Sequence, residues 1–186
     1  MSTHHPRHID VAAFAGAGAV LERDDAQAGF ERLLTETGGR NAERAVHWRA
    51  EGEREQDASG HARHWLHLRA QTVLSLTCQR CLEPVDMPLT VERSFRFVAT
   101  EAQAEIEDEE SEEDVLAVSR EFDLLALVED ELLMELPLAP THATCSSRPA
   151  FSVSDADFDA AEPDKPHPFA ALAGLQPDKG GQGTGD

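Results

Sequence analysis

Alternating apolar and polar positions dominate the middle of the chain. From Leu66 to Cys78, apolar or small residues occupy every second position and polar residues lie between them, apart from Val73. Val85 to Phe97 shows the same alternation, which Arg93 interrupts, and Ala45 to Glu53 shows a shorter version. Because successive side chains of a strand point to opposite faces, this period of two predicts three half-buried β-strands. The two longest strands are joined by the turn at Cys78 and predict an antiparallel hairpin.

Two segments have helical periodicity instead. Asp25 to Glu36 carries apolar residues three and four positions apart and is followed by Gly38 and Gly39, which are typical of a helix end. A second helix is predicted from Asp123, whose carboxylate suits the N-cap position, to Leu136, with Pro137 ending it. The buried stripe predicted for this second helix consists of Leu124, Leu127, Val128, Leu132 and Leu136.

The remaining segments are polar. Residues 101–114 contain nine acidic residues in fourteen positions, which predicts an exposed acidic loop, and a short strand is expected at Val115, Leu116 and Val118. Beyond Cys145 the chain is rich in Ser, Asp, Pro and Gly. We therefore expect a flexible segment at 1–19, an α+β domain at 20–147, and a mostly disordered tail at 148–186 with a short helical patch near 168–175.

The predicted fold class is α+β. It consists of an antiparallel β-sheet or partial barrel packed by two helices, with a flexible acidic C-terminal tail. No stretch looks like an exported leader, and none approaches the ~20 apolar residues of a membrane span, so we expect no membrane association. Three cysteines fit a reducing compartment better than a secreted disulfide framework, which predicts a cytoplasmic protein.

The charge is strongly negative but unevenly distributed. The formal net charge is -20, which argues against general affinity for nucleic acid. Between residues 31 and 96, however, ten arginines balance ten acidic residues, whereas 22 acidic residues face four basic ones from residue 97 onwards. Residues 31–96 thus form a neutral, arginine-bearing region, and the remainder of the chain is strongly acidic.

Two short pairs of soft ligands lie about sixty residues apart. Cys78 and Cys81 are separated by two residues, and so are His142 and Cys145. Two such pairs are what a tetrahedral Zn²⁺ site of three cysteines and one histidine requires. Simple packing of the cysteines as small apolar side chains is one alternative. Redox chemistry is another, although a thioredoxin-like CxxC begins a helix, whereas this one follows a strand.

Motifs of catalysis are missing from the sequence. It has no G-x-S-x-G elbow, no phosphate-binding glycine loop and no HExxH motif. The many carboxylates are concentrated in the predicted acidic loop, where they are solvated rather than tuned for acid–base chemistry. We therefore expect a protein that is not an enzyme.

Three motifs in a fixed order carry a family resemblance. They are the turn LTCQRCL at 76–82, the helix FDLLALVEDELLMELP at 122–137, and Pro140, Thr141 and His142 followed by Cys145. With the acidic segment between them and HPFA at 167–170, they resemble the bacterial YceD-like family, the large ribosomal RNA subunit accumulation proteins. The resemblance covers roughly residues 20–175.

The resemblance implies a non-catalytic ribosome biogenesis factor. Such a factor is needed for the synthesis, processing or stability of large-subunit (23S) ribosomal RNA. The expected partners are that RNA or its precursor, a large-subunit ribosomal protein, or both. Because the protein is acidic overall, any direct RNA contact is expected on the arginine-bearing sheet. The candidates for this contact are Arg49, Arg63, Arg69, Arg80, Arg93 and Arg96. A partner surface is conceivable on the acidic side of the second helix, at Glu129, Asp130, Glu131 and Glu135. The alternative hypothesis is a zinc-binding or thiol-sensing regulatory protein that acts through protein partners, and the oligomeric state stays open.

Overall fold

A computed structural model describes residues 5–56, 60, 62–145 and 169 of the chain. Contacts divide the chain into two compact units, Met1–Arg148 and Pro149–Asp186, and all the secondary structure described below lies in the first. The elements in chain order are α1 (Val11–Gly16), β1 (Val20–Ala26), a 3-10 turn (Gln27–Gly29), α2 (Glu31–Glu36), β2 (Ala45–Gln56), β3 (Ala62–Thr77), β4 (Pro84–Val98), α3 (Glu101–Asp108), β5 (Asp114–Ala117) and α4 (Leu124–Met134).

The strands form one open, mostly antiparallel sheet in the order β1-β2-β3-β4-β5. Neighbours are antiparallel except for β5, which pairs parallel with β4. The predicted α+β class is confirmed, and the sheet is open rather than a barrel. The predicted hairpin is also present, because Thr77 at the end of β3 pairs with Pro84 at the start of β4.

One face of the sheet, the inner face, carries the core. Side chains such as Trp48, Leu68 and Leu74 on β2 and β3 are almost fully buried there. On α4, Leu124, Val128 and Leu132 are completely buried and Leu127 is partly buried. The helix ends at Met134, two residues before the predicted end, and Leu136 beyond it is also partly buried against this core. The period-two pattern of the strands and the helical stripe of α4 thus meet in one apolar layer.

The structure differs from prediction at residues 5–19, which were expected to be flexible. Asp10 accepts a hydrogen bond from the Ala13 N–H at 3.0 Å and caps α1, and Phe14 is 1% exposed. Ile9 and Phe122 form an isolated antiparallel bridge, and the Val11 N–H donates to the Ser119 carbonyl at 3.0 Å. This segment is ordered by partners more than one hundred residues away, which no local pattern reveals.

Helix α1 lies so close to the sheet that only glycine fits beneath it. A Cβ on Gly52 of β2 would lie 2.7 Å from the Phe14 ring and 2.8 Å from the Ala15 Cα. The Gly52 N–H also donates to the Ala19 carbonyl at 2.9 Å. The missing side chain therefore lets the N-terminal segment pack directly on β2.

The helix predicted from Asp25 to Glu36 is shorter than expected. Its first residues belong to β1, and α2 begins only at Glu31. The predicted end is correct, because Gly38 and Gly39 both have positive φ, a conformation that glycine adopts without strain.

The acidic segment at 101–114 is not a loop throughout, because its first eight residues form α3. Thr100 accepts a hydrogen bond from the Gln103 N–H and caps this helix. Ala104 packs with Val98 and Val115 in a small second core cluster. The cap and the apolar contact, together with the ion pair between Arg96 and Glu107, hold this acidic helix against the sheet. Four α-helices, rather than the predicted two, accompany the sheet in the described residues.

The predicted C-terminal tail at 148–186, with its helical patch near 168–175, lies outside the described residues except for Phe169, which is exposed. Among the helices described, none has the length and apolarity needed to cross a membrane.

Candidate metal centre

The hairpin turn after β3 presents the first ligand pair. Cys78 is fully buried and Cys81 is 7% exposed. The Cys78 N–H donates to the Glu83 carbonyl, and the Leu82 N–H donates to the Cys78 carbonyl, both at 2.9 Å. Leu82 adopts a φ of 64°, a left-handed conformation that a non-glycine residue rarely takes. The tight turn keeps the two sulfur atoms on the same side of the backbone.

The chain after α4 brings the second pair to the first. Pro140 is buried, and its carbonyl accepts a hydrogen bond from the Gln79 N–H at 2.8 Å. His142 and Cys145 follow within five residues of this contact. The proline-rich end of the helix therefore delivers the second ligand pair to the hairpin turn.

Cys78, Cys81, His142 and Cys145, here called the Cys–His cluster, have the dimensions of a tetrahedral site. Each contributes one potential ligand atom, and these atoms all lie within 4.8 Å of one another. The Cys78 and Cys145 sulfurs are 3.8 Å apart, and the Cys81 sulfur is 3.3 Å from His142 Nδ1. Zn–S and Zn–N bonds of about 2.3 and 2.05 Å at tetrahedral angles require separations of roughly 3.8 and 3.5 Å. The residues present fit a divalent metal of this type.

The imidazole of His142 is oriented as a ligand should be. Its Nε2 lies 3.0 Å from the Pro84 carbonyl oxygen, which can only accept a hydrogen bond. The proton therefore resides on Nε2, and the lone pair of Nδ1 faces Cys81. Fixing the second nitrogen in this way is a regular feature of metal-binding histidines.

The thiols of the cluster differ in acidity. Burial raises the pKa of Cys78, but hydrogen bonds from the backbone at His142, Arg80 and Cys81 outweigh it and lower the pKa to about 5. Burial raises the pKa of Cys145, as do its contacts with the Cys81 and Cys78 sulfurs, whereas the charge of Arg80 lowers it. Cys78 is therefore the thiol that ionises most easily, and ionisation of Cys145 beside it is unfavourable unless a cation offsets the repulsion between the two thiolates.

The geometry of the cluster differs from that of a thioredoxin-like redox site and is typical of a structural metal site. All three cysteines are free, and the CxxC turn connects two antiparallel strands rather than starting a helix. Four protein ligands around one point would leave no coordination position for a substrate, which is typical of structural and not catalytic zinc.

The arginines predicted to contact RNA have different environments. On the outer face of the sheet, the side opposite the core, Arg49 lies 3.0 Å from Glu22 and 2.9 Å from Glu51. Arg69, its direct partner on β3, lies 2.7 Å from Glu92. The two guanidinium groups remain accessible there but are neutralised by carboxylates. Arg63 is exposed near the start of β3.

The other three candidate arginines serve internal contacts. Arg96 is only 7% exposed and lies 2.5 Å from Glu107 of α3, which lowers the pKa of that carboxyl. Arg93 lies 3.4 Å from Glu131 of α4, which explains why it interrupts an apolar face. Arg80 donates to the main-chain carbonyl of His142. Burial and the contact with Glu107 leave Arg96 little surface for an RNA contact.

The four acidic residues predicted to form a partner surface also have different environments. Glu129 and Glu131 are 9% and 6% exposed. Glu129 accepts hydrogen bonds from the Arg32 and Leu33 N–H groups at 2.7 and 3.2 Å, and thereby caps the start of α2. Asp130 is exposed and pairs with Arg32, and Glu135 is exposed just beyond the end of α4. No local sequence pattern indicates that Arg32 binds Glu129 and Asp130, because these residues lie about one hundred positions further along the chain.

The fold and the ligand set together define a small α+β protein in which a Cys–His cluster joins the central hairpin to the end of the last helix. The family described as large ribosomal RNA subunit accumulation protein YceD matches residues 66–176, and the chain belongs to this family. The matched region contains most of β3, all of β4 and α4, and the four residues of the cluster.

Among curated relatives, the chain is similar to the large ribosomal RNA subunit accumulation protein YceD of Haemophilus influenzae. The two are 36% identical over 111 residues, which is 58% of this chain and 63% of the relative. No solved structure matches the chain.

Proposed function

We propose that the chain is a non-catalytic factor for the accumulation of large-subunit ribosomal RNA, acting in the cytoplasm on the synthesis, processing or stability of 23S RNA. The observation that carries this proposal is the family match over residues 66–176, which includes the hairpin, α4 and the Cys–His cluster. The match favours this role over the regulatory alternative.

The Cys–His cluster serves this function as a structural zinc site. Its four side chains come from two chain segments, the hairpin turn and the end of α4, and both segments are also linked by the hydrogen bond from Gln79 to Pro140. Zinc held by four protein ligands would fix α4 on the sheet without taking part in chemistry.

The distribution of charge favours a basic protein as the direct partner. The chain carries a net charge of -20, and the accessible arginines at the centre of the outer face are each paired with glutamates. RNA phosphates would have to displace these carboxylates, which costs free energy that a basic partner does not demand. A large-subunit ribosomal protein has the complementary charge.

The role in RNA accumulation is tested by depletion. In a strain that lacks the protein, the ratio of mature large-subunit to small-subunit RNA should fall, and the wild-type chain should restore it. Arg69→Gln is a matched exposed control that should also restore the ratio. An unchanged ratio in the deletion strain would refute the proposed function.

The choice of partner is tested by crosslinking in cells, with separate recovery of bound RNA and bound protein. We expect a large-subunit ribosomal protein to be enriched and RNA crosslinks to be sparse. Discrete crosslinks to the precursor of large-subunit RNA would instead establish direct RNA binding and reject the protein partner.

A further inference from the structure

Arg80 lies between the two cysteines of the hairpin turn, yet its side chain is directed at the other ligand pair. Its guanidinium donates a hydrogen bond to the main-chain carbonyl of His142, 62 positions further along the chain. This bond and the one from the Gln79 N–H to the Pro140 carbonyl join the turn to the ligand-bearing loop. Neither bond uses an atom that would coordinate a metal.

A nearby positive charge would stabilise the metal-bound cluster, because that cluster is negatively charged. Three thiolates and one neutral imidazole around a divalent ion leave a net charge of -1. The guanidinium of Arg80 supplies a positive charge within hydrogen-bonding distance of the His142 carbonyl. Its contact with His142 holds this charge close to the cluster. A cation that moved freely on the surface would be screened from the cluster by salt.

We propose that Arg80 is a positioning residue of the metal centre, which holds the His142–Cys145 loop against the hairpin turn and neutralises the surplus negative charge of the metal-bound cluster. This proposal rests on the proposed zinc site. It assigns Arg80 a role other than the RNA contact expected from the sequence, because the guanidinium is directed at the His142 carbonyl.

Substitutions of Arg80 separate its charge from its geometry. Arg80→Gln removes the charge and the planar fork, whereas Arg80→Lys keeps the charge but loses the fork. Arg69→Gln makes the same change of charge on the exposed outer face and serves as the matched control. All three variants keep the four ligands.

The test measures zinc affinity by competition with a chromogenic chelator, using the full chain. We expect Arg80→Gln to bind zinc about 10- to 100-fold more weakly, as is usual when a group that orients a ligand is lost. Arg80→Lys should fall in between, and Arg69→Gln should equal the wild type. Cobalt substitution adds a second measurement, because the visible bands of tetrahedral thiolate-bound Co²⁺ should shift in Arg80→Gln.

The outcomes separate this proposal from the one on which it rests. Equal zinc affinity and identical cobalt spectra for Arg80→Gln and the wild type would overturn the role of Arg80 and leave the zinc site intact. A wild-type chain that takes up no zinc would overturn both. Reduced RNA crosslinking by Arg80→Gln with unchanged zinc affinity would assign Arg80 to RNA instead. Metal-free wild type and Arg80→Gln should unfold at the same denaturant concentration, which excludes a merely structural loss.

Discussion

The two ends of α4 are attached to the rest of the protein by different means. At its start, the Leu124 N–H donates to the Pro6 carbonyl at 2.8 Å, and Ile9 and Phe122 form a backbone bridge. At its end, the chain reaches the hairpin turn through the side chains of the Cys–His cluster. The first attachment consists of backbone bonds and apolar packing, whereas the second adds the side chains of a candidate metal site to the backbone bond between Gln79 and Pro140. Solution conditions should therefore act on one end and spare the other.

Metal removal should give the largest effect and should be confined to the end of α4. If free zinc exceeds its Kd by a thousandfold, chelation lowers the free energy of unfolding by about 4 kcal/mol. Hydrogen exchange should rise at Cys78, Gln79 and Leu82 in the hairpin turn, but not at Ile9, Phe122 and Leu124. Cys78→Ser should reproduce the result without chelator, and equal exchange at both ends would contradict the comparison.

Truncation of Ile9 should act on the opposite end. This side chain is 2% exposed, and its loss leaves a cavity, so Ile9→Ala should lower the free energy of unfolding by about 3 kcal/mol. Exchange should rise at Phe122 and Leu124 while zinc affinity stays unchanged. Val20→Ala is the matched control, because Val20 is 42% exposed and should cost less than about 0.5 kcal/mol.

Glu129, in the middle of α4, should give an intermediate effect. Glu129→Ala leaves the Arg32 and Leu33 N–H groups without their acceptor, which costs about 2 kcal/mol by denaturant unfolding. Asp130→Ala removes a neighbouring partner of the same Arg32, but this carboxylate is half exposed, so the cost should stay below about 0.5 kcal/mol. Equal costs would show that charge, rather than capping of α2, is what Glu129 supplies.

Glu131 should give the smallest effect, with the opposite sign. Burial raises its pKa, against the influence of Arg93, so the folded state holds the proton more tightly than the unfolded chain. Ionisation therefore costs stability above the raised pKa, and this cost disappears as the pH falls towards the ordinary value of about 4.3. Glu131→Gln should be slightly more stable than wild type at pH 7, by less than about 1 kcal/mol. The difference should shrink on acidification; a gap that grows would contradict this assignment.

The parts of the fold that the sequence predicts well are those with local periodicity. The alternation in β2, β3 and β4 and the stripe of α4 are determined by neighbours two to four positions apart, and the spacing of the cysteines indicates the ligand pairs in the same way. The structure agrees with these predictions because the periodic apolar residues are the ones that the strands and α4 bury against the core.

The elements that sequence patterns missed depend on distant partners. Helix α1 exists because Phe14 packs over Gly52, and α2 is capped by a glutamate about one hundred residues away. Glu129 and Glu131 resemble solvated helix residues until Arg32 and Arg93 are known to lie beside them. The interruption of the β4 pattern by Arg93 was the one local sign of such a buried pair.

The Cys–His cluster has a further consequence for the unfolded chain. Cys78 and Cys145 are 67 positions apart, and a cross-link over that distance removes about 4 kcal/mol of chain entropy from the unfolded ensemble. Cys78 and Cys81 form a short loop and can capture an ion early, whereas His142 and Cys145 must close a long one. If the cluster binds a metal ion, chain length would set the order of capture, and His142 and Cys145 would be the last ligand pair to bind.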